Sequence, residues 1–295
     1  MRRLADRLLW HDSAMSRILV MHPGAMGSSI AMAMTGAGHE VLWIAGGRSA
    51  ASAARAVEAG CVAMPALEEA LGAVEGVVSV VPPEHAVSVA EQVGALGFTG
   101  WYLDANAISP ATARAIDLLV CDGGGSMVDG GIVGPPAHSS GTTRLALSGL
   151  GAEEIAAVFK DTAVEPVVVG SDIGAASAFK VGFAAWTKGS SALLLAVRSY
   201  ASAEGIDGAL LTEWERRGMD VAARSDATAA GVGPKAWRFA AEMDEIAAAL
   251  TDVGIGSGFF DSAADLYRRL DEFKDQVDPP PSIDDLVIRI LDQSQ

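Results

Sequence analysis

The stretch MHPGAMGSSIA at residues 21–31 decides how the rest of the chain is read. The run RILVM (17–21) leads into it, and an alanine-rich stretch ending in Gly36-Ala37-Gly38 follows. The order is strand, turn, helix. A helix that begins directly after a strand offers unpaired backbone N–H groups and the positive end of its dipole. A phosphate settles there only where the backbone lets it come close. Gly24 allows that approach, and Gly27 lets the helix lie against the strand. The usual pattern is G-x-G-x-x-G. Here His22 takes the place of the first glycine, and Pro23 presets the turn by a different local path.

Working outward, short apolar runs alternate with helical segments. EVLWIA (40–45), GVVSVV (76–81), WYLDA (101–105) and MVDGG (127–131) follow RILVM as strand candidates. Their spacing of about 20–35 residues is that of βα units and a parallel sheet. RSAASAARAVEAG (48–60), PEHAVSVAEQVGAL (83–96) and SPATARAIDLLV (109–120) read as helices between strands. Ser109 is a cap, and Pro110 suits the first helical turn. TRLALSG (143–149) and EPVVVG (165–170) read as two more strands around a helix at 151–159. After Gly170 the pattern changes. Residues 174–203 form one long helix with few polar residues, expected to be buried on most sides. Helices follow at 207–217, 235–252, 261–274 and 282–292, with DPPPS (278–282) between the last two. The predicted fold is α/β: a doubly wound parallel sheet of Rossmann type over 15–170, then an all-α domain over 171–295. Residues 1–14 read as a tail without function, because Met15 stands just before the first strand.

Composition narrows the function. The 295 residues are half hydrophobic and carry a formal net charge of −16. Such a surface repels nucleic-acid phosphates. No apolar run reaches the length of a membrane span, so no membrane partner is expected. Cys61 and Cys121 make neither metal spacing nor a disulfide framework, so no metal is expected and a reducing cytoplasm is. The alanine-rich helices of the second half are too apolar to face water alone, which points to a homodimer.

A second signal comes after EVLWIA, at Gly46-Gly47-Arg48-Ser49. A site for NAD places an acid near here to hold the ribose 2′-hydroxyl. No acid is present. Arg48 instead suits a 2′-phosphate through charge-assisted hydrogen bonds, and Ser49 can donate to it. The cofactor expected is NADP(H).

Several motifs now stand in order: HPGAMG (22–27), GRS (47–49), VPP (81–83), LDANAISP (103–110), VDGGIVGPP (128–136), GAASAFK (174–180) and AAWTKG (184–189). With this set the chain resembles the superfamily of 3-hydroxyisobutyrate and 6-phosphogluconate dehydrogenases, in a branch of oxidoreductases with a distinctive C-terminal domain. The resemblance implies a cofactor turn at Gly24, Ala25, Met26 and Gly27. It places Val81, Pro82 and Pro83 along the ribose and nicotinamide, and Asn106 beside the nicotinamide ribose or carboxamide. It puts Asp129 and Gly130 in a substrate loop. It implies that Lys180 is the catalytic lysine at the start of the long helix, and that C-terminal helices close the pocket, often from a dimer partner. Lys180 also stands out by itself. A cation on an apolar helix is costly unless paired or lowered in pKa, and a lowered amine can give a proton to a carbonyl oxygen.

Two positions depart from the superfamily pattern. Ala184 replaces the asparagine that supports the lysine, and Val133 replaces the serine that holds a substrate carboxylate. A larger or less polar substrate fits them better. Lys188, two turns beyond Lys180 on nearly the same face, is a candidate for a substrate carboxylate or phosphate. Lys235, Trp237, Arg238 and the i,i+3 pair Glu242 and Glu245 are further pocket candidates, Glu242 foremost. The expectation is an NADPH-dependent oxidoreductase acting on a small organic carbonyl or hydroxyl compound in the cleft between domains, with Lys180 as acid–base. Imine reduction on the same architecture, or NADPH binding without turnover, remain the alternatives.

Overall fold

A computed structural model describes residues 15–292. The tail at 1–14 lies outside the described residues. The chain forms two compact units that meet in sequence at Val181 and Gly182.

The first unit is built on eight strands: β1 Arg17–Val20, β2 Glu40–Ile44, β3 Val62–Met64, β4 Gly76–Ser79, β5 Trp101–Asp104, β6 Ser126–Val133, β7 Thr143–Ser148 and β8 Val164–Gly170. They lie in the order β3-β2-β1-β4-β5-β6-β7-β8. Between them run α1 Ala25–Gly36, α2 Ala50–Glu58, α3 Leu67–Leu71, α4 Pro83–Ala95, α5 Pro110–Asp122 and α6 Ala152–Val158. The α/β expectation holds, with a correction to the all-parallel sheet. β6 and β7 pair antiparallel, while β7 and β8 pair parallel. The reason is chain length. Only residues 134–142 separate β6 from β7, and a parallel crossover needs about a dozen residues or more. β3 and α3 are absent from the sequence expectation because three and five residues carry no readable periodicity.

The core follows from alternation along each strand. Ile18 and Val20 of β1 enter one cluster with Ile30 and Met34 of α1. Leu19 and Met21 enter another with Val89 and Val93 of α4 and Ile116 of α5. A strand buried on both faces reads as an unbroken apolar run, as RILVM does. Ser49 caps α2 and Ser109 caps α5, each accepting from the backbone N–H three residues on.

The long helix α7, Ala175–Ala203, starts in the first unit. The described part of the second unit is helical: the remainder of α7, then α8 Asp207–Arg216, α9 Val221–Val232, α10 Ala236–Asp252, α11 Gly258–Arg268 and α12 Ile283–Leu291. Helix α9 was not foreseen, since VAARSDATAAGV has weak periodicity and three residues that favour caps and turns. The second unit's core holds Met243, Ala264, Tyr267, Leu270 and Leu286, all fully buried. The expectation that α7 is buried on most sides is corrected. Phe179, Phe183, Trp186, Leu193 and Tyr200 are 41%, 49%, 76%, 52% and 61% exposed. Their spacings of three, four and seven residues put them on one face of the helix. No described helix is long and apolar enough to cross a membrane.

Candidate cofactor and proton-transfer site

Sheet order puts the ends of β2, β1 and β4 side by side. The chain reverses direction of winding between β1 and β4, and in open α/β sheets ligands settle outside the carboxyl ends at that point. β1 runs on to Met21, whose N–H donates to the Val78 carbonyl. The turn then closes around Pro23, with Gly24 N–H on the His22 carbonyl at 2.9 Å. Gly24 is the N-cap of α1 and no side chain caps that helix. A Cβ built on Gly24 meets nothing within 4 Å, whereas one on Gly27 falls 2.2 Å from the His22 carbonyl oxygen. The two glycines thus serve differently. Gly27 is required by packing, and Gly24 leaves open space over the free N–H groups of the helix start. That cradle fits a pyrophosphate. Ala25 is exposed and Met26 half-buried in the same first turn.

Positively charged groups gather beside the cradle. Arg48, in the loop after β2, is half-buried, and its Nε has no partner in the protein. Ser49 is exposed and spends its hydroxyl capping α2. Arg55 donates from Nε to the Pro23 carbonyl at 3.1 Å and from Nη2 to Ser52 Oγ at 3.1 Å. His22 Nδ1 is buried and also unpartnered. Its pKa falls to about 4, first through burial, then through the charge of Arg48 and of His85. An orphaned buried polar atom costs about 1–3 kcal/mol, so two of them at the mouth of a cradle mark a place where a ligand completes the bonding. His22 and Arg55 were not among the sequence candidates, because their positions depend on neighbouring strands.

A second network lies at the ends of β4 and β5. Asn106, 2% exposed, accepts from Val81 N–H at 2.6 Å and donates to Ser79 Oγ at 3.1 Å and Asp104 Oδ2 at 2.8 Å. Both its amide protons are used. Through its bond to the Val81 N–H, Asn106 positions the Val81-Pro82-Pro83 segment. Val81 is buried at the end of this bond, Pro82 is exposed as N-cap of α4, and Pro83 opens that helix. Asp104 is fully buried and its pKa rises to about 7, through burial and the nearby charge of Asp129, against the bonds from Asn106.

The third cluster joins β6 to the start of α7. Asp129 is fully buried. Its carboxylate accepts from Ser148 Oγ, Gly174 N–H, Ser177 N–H and Ser177 Oγ at 3.0, 2.9, 3.0 and 2.6 Å. Ser148 Oγ in turn accepts from Ala176 N–H at 2.9 Å. Asp129 thus stands at the N-terminus of α7, where a helix dipole favours a carboxylate. Gly130 and Gly131 permit the approach. A Cβ on Gly130 would fall 2.8 Å from the Asp104 carbonyl, and one on Gly131 2.7 Å from that of Ala176. On this platform Lys180 donates from Nζ to the Ile132 carbonyl at 2.9 Å. Burial lowers its pKa to about 8. Val133, the next residue of β6, is half-buried.

The remaining candidates belong to the second unit. Ala184 is buried. Lys188 is paired with Glu242 Oε2, and its Nζ stands 4.5 Å from the Phe239 ring centroid. Tyr267 donates to the Lys188 carbonyl at 2.6 Å. Lys188 and Glu242, both pocket candidates, are thus partners of each other. Arg238 and Lys274 both lie over Trp237. A cavity of about 1060 Å³ opens at the opposite, amino ends of the strands, lined by Ser16, Glu75 and Gly100 among others, and holds none of the candidates. Among the described residues, no group of three or more His, Cys, Asp or Glu side chains could hold a metal ion.

Comparisons with known proteins agree with this geometry. Residues 18–170 match the NAD binding domain of 6-phosphogluconate dehydrogenase, and residues 201–270 match a domain of unknown function, DUF1932. No curated protein matches the chain. A conserved protein of unknown function, described as structurally similar to 3-hydroxyacid dehydrogenases, is 27% identical with a TM-score of 0.69, over 87% of this chain and 97% of its own. The 3-hydroxyisobutyrate dehydrogenase of Mycobacterium tuberculosis, solved with L-serine, is 16% identical with a TM-score of 0.71, over 94% and 100%. An imine reductase variant from Myxococcus stipitatus, in complex with NAD+, is 19% identical with a TM-score of 0.57, over 94% and 99%. The last two likenesses concern the fold.

Proposed function

The chain belongs to the family defined by the NAD binding domain of 6-phosphogluconate dehydrogenase, and from that premise we propose that it is an NADPH-dependent oxidoreductase acting on a small organic carbonyl or hydroxyl compound. The observation that carries this reading is Lys180, half-buried at the start of α7 with the Ile132 carbonyl as the partner of its Nζ and a pKa lowered to about 8. When bound, the nicotinamide supplies or accepts the hydride. Lys180 supplies the proton to the carbonyl oxygen, or removes it from the hydroxyl in the reverse direction. A group whose pKa is close to the working pH exchanges protons in both directions. The test is NADPH oxidation against a panel of keto acids, ketones and aldehydes, and against a panel of cyclic imines. Turnover of carbonyl compounds supports the reading. Turnover of imines alone supports the second reading, imine reduction, which Val133 and Ala184 favour by leaving apolar positions where the superfamily pattern is polar. NADPH binding with no turnover on either panel would leave a binding protein.

The choice of NADPH rests on Arg48, whose Nε lacks a partner beside the open cradle. A hydrogen bond to a charged group is worth about 1.5–3 kcal/mol, so Arg48→Ala is expected to weaken NADPH binding by roughly 10–150-fold. NADH binding should change by less than about threefold, since it has no 2′-phosphate. Fluorescence titration of both cofactors checks this, and equal affinity of the unaltered protein for NADPH and NADH would overturn the choice.

The same reading includes a homodimer. The exposed stripe Phe183, Trp186, Leu193 and Tyr200 on α7 is too apolar to stay in water. Trp186→Glu, at the most exposed of these positions, is expected to shift the protein from dimer to monomer in light scattering. A monomeric unaltered protein would contradict the proposal.

A further inference from the structure

Three groups that carry or can gain positive charge meet where three neighbouring strands end. Arg48 follows β2, His22 follows β1, and His85 stands in the first turn of α4 after β4. Those strands are adjacent in the order β2-β1-β4, so the sheet brings the side chains together. Arg48 and His85 both act on the charge of His22. His22 Nδ1 and Arg48 Nε are buried without a protein partner. Arg55 reaches the same turn through the Pro23 carbonyl, and Glu84, next to His85 in α4, is exposed. A glycine at position 22 would keep the turn and remove the imidazole. The cluster has the chemistry of a phosphate site: two orphaned nitrogens, converging cations, and open space over the adjacent Gly24.

We propose that His22 is a specificity-determining residue, which with Arg48 holds the phosphate on the adenosine ribose of the cofactor and takes up a proton as that phosphate arrives. The inference rests on the NADPH reading above and extends it to a residue and to a dependence on pH. In the free protein, burial first, and then the neighbouring Arg48 and His85, keep the imidazole neutral, with a pKa of about 4. An arriving phosphate dianion reverses the local field, so the imidazolium becomes the favoured form. The proton comes from solvent. The sign follows from linkage. The pKa is higher in the complex than in the free protein, so affinity for the phosphorylated cofactor rises as pH falls from the bound value toward about 4. The unphosphorylated cofactor has no such dependence through His22. The phosphate's own second ionisation, near pH 6, works the other way, and a His22 variant separates the two.

The experiment is calorimetric titration of the full chain with NADP+ and with NAD+, between pH 5.5 and 7.5, in two buffers of different ionisation enthalpy. Proton uptake is read from the difference between buffers. For the unaltered protein at about pH 6.5, roughly 0.3–1 proton should be taken up with NADP+ and none with NAD+. Its preference for NADP+ should rise by about threefold or more from pH 7.5 to 6.0. His22→Asn should abolish the uptake and the rise, while His85→Asn keeps the uptake. Binding of NAD+ by His22→Asn shows that the turn is still formed. Uptake by His22→Asn equal to that of the unaltered protein overturns the inference, as does the absence of any uptake specific to NADP+ in the unaltered protein. If NADP+ is preferred but no uptake depends on His22, this inference fails and the NADPH reading stands. If the two cofactors bind alike at every pH, both fail.

Discussion

Lys180→Met is expected to lower kcat for the preferred carbonyl substrate by about 10²–10⁴-fold, the range of a lost general acid. Methionine keeps the length and apolar body of the side chain, so the packing of α7 on β6 survives. The bond lost in the ground state is one, from Nζ to the Ile132 carbonyl. NADPH affinity should therefore change little, and the loss should appear in kcat rather than in KM for cofactor. The pH profile adds a readout that a structural role would not move. With a pKa of about 8, the amine is protonated below that pH and neutral above it. Carbonyl reduction, which needs the protonated form, should decline as pH rises through about 8. The reverse oxidation, which needs the neutral form, should increase over the same interval. Lys180→Met should lack this limb in both directions. Full activity in the variant would remove the lysine from the chemistry.

The second large effect concerns stability. Asp129→Ala leaves the Gly174 and Ser177 N–H groups and the Ser148 and Ser177 hydroxyls without their buried acceptor. Each stranded donor carries a desolvation cost, and the start of α7 loses the anion that its dipole favours. With relaxation among the hydroxyls, the expected loss is about 3–5 kcal/mol, comparable to removing one partner of a buried charge pair. Asp129→Asn keeps one acceptor oxygen and should lose less. Urea unfolding measures both. A midpoint for Asp129→Ala corresponding to less than about 1 kcal/mol of change would show that Asp129 does not hold the helix start. Lys180 sits within two turns of that start, so the same substitution should lower kcat through its position without altering the pH limb near 8.

Much of the fold was legible because burial writes itself into local pattern. RILVM, EVLWIA and GVVSVV are apolar on both faces of a sheet, and Ser109-Pro110 carries its own helix signal. The cofactor turn was legible in Gly24 and Gly27, since close approach of backbone demands glycine at fixed offsets. The candidate site was less so. Asp129 and Asn106 read as polar groups in the right motifs, but sequence does not count hydrogen bonds. In the structure every proton of the Asn106 amide and both oxygens of Asp129 are committed to the protein. Lys188 likewise reads as a free cation until Glu242, far along the chain, is brought to it. The apolar face of α7 reads as core because the pattern records a wish for burial and not the surface that provides it.

Most of the order of strands and helices and the glycine turn were decided by short-range periodicity and spacing, and the family resemblance by an ordered set of motifs, all of which the chain carries in its own residues. The cap that Asp129 sets on α7 and the meeting of His22, Arg48 and His85 were decided by packing. Each depends on residues distant in sequence becoming neighbours. Hydrogen bonding and charge act over a few ångströms of space, whatever the number of residues between.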